Sequence, residues 1–171
     1  AVSSSASSFS TPIGILLALK TNRALNRLLE ARSTWGKMVR VCSSLGGMVI
    51  NYVMPVDEER ALLMGRYLVL FGWCMKGMLR DEDDTVIIRT LLPPAEADWL
   101  LSCPGDRPNA IIFRFRNILA QSEQNFQQQQ PQISGTASGV MEDRMEELEQ
   151  AMGIIRRIMA SPIPPTFTRM T

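Results

Sequence analysis

Residues 20–36 read Lys20-Thr21-Asn22-Arg23-Ala24-Leu25-Asn26-Arg27-Leu28-Leu29-Glu30-Ala31-Arg32-Ser33-Thr34-Trp35-Gly36, and they decide the fold. Apolar or small residues recur at Ala24, Leu28, Ala31, Trp35, Met38, Cys42, Leu45 and Val49. The steps alternate four and three, which is the seam of a long helix at heptad spacing. Arg23, Arg27, Glu30, Thr34 and Lys37 keep the same rhythm on the other side. Pro12 suits the start of such a helix and Pro55 lies beyond its end, so the pattern predicts a helix from about residue 12 to about 52. Its length and rhythm fit a helix shared between subunits as well as one packed on a globular core. Gly46-Gly47 weakens the distal part.

Asp57 caps a second predicted helix that runs to Leu79, with Glu58 and Glu59 in its first turn and Arg80 near its end. That polarity suits the helix dipole. Tyr67 to Phe71 is apolar all round, which predicts the central core helix. Arg66 and Lys76 interrupt the stretch 61–79, so it reads as a core helix rather than a membrane span. Ile13 to Leu19 is apolar but too short to span. Asp81-Glu82-Asp83-Asp84 lacks the spacing and glycine of a calcium loop and predicts a solvated, helix-capping loop. Thr85 to Leu92 fits helix or strand. Glu96 to Ser102 is a short helix, and Pro104-Gly105-Asp106 a turn.

A helix opening at Arg107-Pro108-Asn109-Ala110 carries Ile111, Ile112, Phe115, Ile118, Leu119 and Phe126 on one face. Residues 127–139 read as a flexible linker. Met141, Met145, Leu148, Met152, Ile155 and Met159 share a face of the last helix, from about 141 to 159, which Pro162 stops. Residues 1–10 are predicted to be disordered. The organisation is thus all-α, a single helical domain over 11–171.

The 171 residues carry 18 basic and 17 acidic side chains, net +1, with the basic residues spread out. That disfavours nucleic acid as a partner. There is no histidine, which removes the usual general base and the Glu-x-x-His pairs of di-iron bundles. Glu142, Asp143, Glu146, Glu147 and Glu149 therefore read as a solvated face. Cys42, Cys74 and Cys103 lack metal-knuckle or disulfide spacing and read as buried thiols in a reducing compartment. No phosphate loop or activated nucleophile is present, so neither an enzyme nor a cofactor is indicated.

Lys20, Thr21, Asn22, Arg27, Glu30, Ala31, Arg32, Trp35 and Gly36 resemble, in order and spacing, the motif of the bestrophin family of anion channels. The Arg107-Pro108-Asn109-Ala110 block resembles another family segment. So does the tail Ser161-Pro162-Ile163-Pro164, followed by Thr166-Phe167-Thr168 where the family often has Ala-Tyr-Thr. The resemblance implies a long pore-type helix followed by a helical bundle, without complete transmembrane spans in this chain. It implies a homopentamer around an axial pore for chloride or similar monovalent anions.

By matching, the pore neck falls at Thr11, Ile15 and Leu19 and the cytosolic aperture at Ile163. Lys20, Arg23 and Arg27, just past the neck, are anion-attracting or structural. Leu19 stands where an aromatic is frequent, and Gly153-Ile154-Ile155-Arg156-Arg157 where the family usually shows Gly-x-Cys-Glu-Arg. The matched region starts partway through the pore helix and stops where a further span is expected. The alternative is a non-conducting accessory subunit of a larger membrane complex, such as a photosynthetic one. The acid-free, Ser-rich start and the Gln/Ser stretch lean to a plastid thylakoid over a bacterial inner membrane.

Overall fold

The long seam forms one helix, but its ends differ from the sequence expectation. A computed structural model of the chain describes residues 3–103, 105–126 and 135–160, with side chains described for 14–103, 105–122 and 135–160. Helix α1 covers Ser3–Met48. Residues 3–10 are therefore helical rather than a disordered lead-in. At its other end α1 passes into a π-helical turn, Val49–Val53, instead of continuing to residue 52 as α-helix. The reason is Pro55. It has no N–H to offer the carbonyl of Asn51 and its ring crowds that turn. The turn widens, and the Met54 amide donates to the Val49 carbonyl at 2.9 Å.

Helix α2, Glu58–Arg80, starts where expected: the Asp57 side chain accepts from the Arg60 amide at 3.0 Å. Thr85–Leu91 resolves as helix α3. Asp83 Oδ1 fixes its start by accepting from the Thr85 amide and hydroxyl at 3.0 and 2.6 Å. Helix α4, Pro94–Ser102, begins at the proline itself, because proline fits the first helical position. Helix α5 is Arg107–Phe126 and helix α6 is Gly135–Ala160. The flexible reading of 127–139 thus fails at 135–139, which belong to α6, while 127–134 lie outside the described residues. Among the described residues there is no strand.

The chain divides into two compact units where the pattern predicted one domain over 11–171. One is Ala1–Gly36 with Ile154–Thr171, the other Lys37–Gly153. The core of the second unit is built on α2, which packs on α5, α3 and the π turn. Ala61, Met64, Tyr67, Leu70, Phe71, Cys74 and Met75 bury one face of it. The opposite face is not enclosed: Leu62, Val69 and Trp73 are exposed, so the middle of α2 is not buried all round. Among the described residues α2 is the one helix long and apolar enough to cross a membrane, and 39% of that stretch is buried. Its buried face, packed on α5 and α3, makes it the core helix of this unit. On α1, Met38, Val41 and Leu45 are buried, followed by Val49 and Val53 of the π turn; on α6, Met141, Met145, Leu148 and Met152. Of the cysteines only Cys74 is buried; Cys42 and Cys103 are half-buried. Burial raises the Cys42 thiol to about 11 and the Cys74 thiol to about 12.

The α2–α3 connection is tighter than a solvated loop. Asp81 adopts the left-handed conformation (φ 55°), and the Glu82 amide donates back to the Gly77 carbonyl at 3.0 Å. Asp84 is buried and paired with Arg107 at the start of α5. A Cβ at Gly77 would lie 3.1 Å from the Glu82 carbonyl oxygen and 3.5 Å from Asp84 Oδ2. Gly77→Ala is therefore expected to destabilise by about 1–2 kcal/mol, although alanine is the better helix former. Denaturant unfolding checks this, and a stabilised variant would show that the loop yields freely.

Candidate functional site

The chemistry-bearing row on α1 is set by helix geometry. Ile15 and Leu19 are one turn apart on the same face, 57% and 52% exposed. Thr11 lies one turn before them on the helix. They do not stand alone, for Leu16, Leu17, Leu25, Leu28 and Leu29 are each about half exposed too. Each four-residue step turns the row by about 40°, so Arg23 continues it while Arg27 lies about 120° around from Ile15. Arg23 is exposed and Lys20 half-buried.

Arg27 has a definite structural partner. Its Nη2 donates to the Ile158 carbonyl at 2.5 Å, in the last turn of α6. Three residues on, Glu30 accepts from Arg157 Nη2 at 2.5 Å. Arg27 and Glu30, both in the family-like motif, thus each hold the end of α6. Asn22, Arg32 and Gly36 are exposed, and Trp35 is 37% exposed. Thr34 is buried and donates to the Glu30 carbonyl at 2.8 Å. Sequence separations of 127 and 131 residues hid these contacts from any periodicity. Ile163, Pro162 and Pro164 lie outside the described residues.

The other polar centre is inside the second unit. Tyr67, fully buried on α2, donates its hydroxyl to Glu96 Oε2 at 2.6 Å. Arg114 of α5 grips both oxygens of Glu96, through Nε at 2.9 Å and through Nη2. It also lies over the Trp99 ring, 5.7 Å from the centroid. The Arg114 hydrogen bonds hold the Glu96 carboxyl below its ordinary value despite partial burial. Burial, then the Glu96 carboxylate, raises the Tyr67 phenol. This is a structural tie between α2, α4 and α5, with no proton to spare near neutrality.

The acidic face of α6 is also engaged rather than merely solvated. Arg116 bonds Glu142 at 2.5 Å and Glu149 at 2.5 and 3.1 Å. Glu147 meets Arg144 at 2.5 Å and Lys37 at 3.8 Å. Pro108 is buried in the first turn of α5, Asn109 is exposed, and Arg107 supplies the pair to Asp84. The second family-like block thus anchors a helix start.

The sequence profile of the bacterial and fungal bestrophin proteins matches residues 1–171. The chain belongs to the bestrophin family. A bacterial bestrophin homologue from Klebsiella pneumoniae superposes with a TM-score of 0.83 at 25% identity, covering 94% of this chain and 57% of that one. Voltage-dependent chloride channel 2, chloroplastic, of Arabidopsis thaliana is 23% identical over 162 residues, 93% of this chain and 37% of the relative. The voltage-dependent anion channel-forming protein YneE of Escherichia coli is 24% identical over 156 residues, 91% of this chain and 49% of the relative. The chain thus spans less than half the length of these curated relatives. The all-α bestrophin fold, a long helix followed by a helical bundle, is the one expected from the motifs.

Proposed function

We propose that this bestrophin chain is a subunit of a membrane channel that passes chloride or similar monovalent anions down their gradient. Five copies of α1 surround one axis in this reading, with Thr11, Ile15 and Leu19 lining the neck and Ile163 the aperture. The observation that carries it is the apolar surface of α1. Seven large apolar side chains between Ile15 and Leu29 are each about half exposed, a stretch no lone helix keeps in water without cost. Neighbouring copies and lipid cover part of it, and the Ile15–Leu19 row faces the axis. An apolar ring admits weakly hydrated anions more readily than strongly hydrated cations, and dewetting lets it gate. Arg23, on the same row, favours negative charge just past the ring. The names of the relatives are those of anion channels, chloroplastic in Arabidopsis and bacterial in Escherichia coli. A thylakoid or a bacterial inner membrane is the corresponding location.

The full-length product reconstituted in a planar bilayer between unequal potassium chloride solutions tests this. The expected result is a reversal potential near that of chloride; a cation reversal potential or no current contradicts it. The second reading, a non-conducting accessory subunit, draws on the same exposed surface, which unlike neighbours can also cover. It predicts one copy of the chain in a stable membrane complex, whereas the channel predicts five in a ring.

A further inference from the structure

The end of α6 poses a problem that the sequence alone defines. In an α-helix the Ile158 carbonyl would accept from the amide four residues on, and that residue is Pro162, which has no N–H. Arg27 supplies the missing donor: its Nη2 lies 2.5 Å from that oxygen. The guanidinium also sits at the negative end of the α6 dipole. Arg157, one residue earlier, reaches the Glu30 carboxylate at 2.5 Å. The two contacts are reciprocal, an arginine from each helix crossing to the other. They grip α1 two to three turns beyond Leu19 and α6 just before Ser161.

We infer that Arg27 and Glu30 are positioning residues that couple the neck helix to the exit segment following α6. The inference rests on the channel reading, in which residues 15–19 form the neck and Ile163 the aperture. A clasp with one arm on backbone and one on a side chain fixes both the rotation and the height of the α6 end on α1. A shift of α1 at the neck is then transmitted to the point where the chain leaves for Ile163. The arms differ in replaceability. The carbonyl needs any N–H donor, so Arg27→Lys retains a weaker contact. The carboxylate arm needs opposite charges, so Glu30→Arg together with Arg157→Glu restores it with polarity reversed.

The test is the iodide-to-chloride permeability ratio of the reconstituted full-length protein, taken from reversal potentials. Arg27→Met, Glu30→Arg and Arg157→Glu are expected to shift it by about twofold or more, as a displaced constriction changes its dehydration cost. The exchanged pair should return it to the wild-type value, and Arg27→Lys should return it partway. Conducting variants whose ratios all equal the wild type overturn the inference while leaving the channel intact. Absence of anion current from the wild type instead removes the channel reading. In that case, or where a variant does not assemble, amide exchange in the last turn of α6 decides about the clasp itself. Arg27→Met should speed it roughly tenfold, the effect of losing one charge-assisted hydrogen bond; unchanged exchange overturns the clasp.

Discussion

Replacing Phe71 by alanine is expected to lower stability by about 3–5 kcal/mol, the range for an aromatic lost from a packed core. Phe71 is 1% exposed on the buried face of α2. Leu45, Leu68, Ile111, Ile112, Phe115, Met145 and Leu148 line a small apolar space with it, from four helices. Those walls are anchored by separate helices and cannot all close on the void, so the cavity term adds to the lost transfer term. For a chain of this size the change corresponds to a fall in Tm of roughly 10 °C. Phe71→Leu keeps most of the volume and should cost less than half as much. Thermal and urea unfolding check both, and near-equal losses would mean that the α2–α5 seam repacks.

Arg114→Met is the second large effect, expected at about 2–4 kcal/mol. It leaves the Glu96 carboxylate, 17% exposed, with only the Tyr67 hydroxyl to satisfy it. Glu96→Gln should cost less, because an amide needs less compensation than a charge. The pH dependence has a fixed sign. The folded protein holds the Glu96 carboxyl below its ordinary value of 4.5. The contribution is therefore complete above that value and disappears as pH falls through the depressed one. The stability gap between wild type and Arg114→Met should be constant from pH 6 to 8, to about a few tenths of a kcal/mol, and narrow in acid. A gap that stays constant into acid would show that Arg114 acts through packing on Trp99 and not through Glu96. Tyr67, whose phenol is raised, adds the opposite limb: its contribution is complete below about pH 10 and lost as pH climbs through its raised value.

Caps and apolar periods were the local chemistry legible in the sequence. Asp57 announced the start of α2, and the buried stripe of α5 and α6 followed from their 3.6-residue periods. Pro55 announced an end to α1 but not its form, since a missing N–H permits either a stop or a widened turn. The start of α6 at Gly135 was hidden because Gly135, Ser138 and Gly139 are poor helix formers, and packing in the folded chain outweighs that preference. The motif residues identified the family. Their tasks were not legible. Arg27 read as anion-attracting or structural with no contact to name; it and Glu30 each meet α6 from more than a hundred residues away. Arg107 and Asp84, 23 residues apart, gave no periodic signal either, and neither did Tyr67, Glu96 and Arg114. Burial of a charge depends on which helices meet, and heptad spacing does not encode that.

In the channel reading the Ile15 row of α1 faces a water-filled anion path. Ile15→Cys in the full-length protein, with Cys42, Cys74 and Cys103 replaced by serine, tests it most directly under bilayer recording. A charged thiosulfonate reagent added to the bath should abolish most of the anion current through this variant, while the same reagent on Leu17→Cys, about 160° away around the helix, should leave it largely intact. Full current through modified Ile15→Cys, or equal block at both positions, would contradict the account.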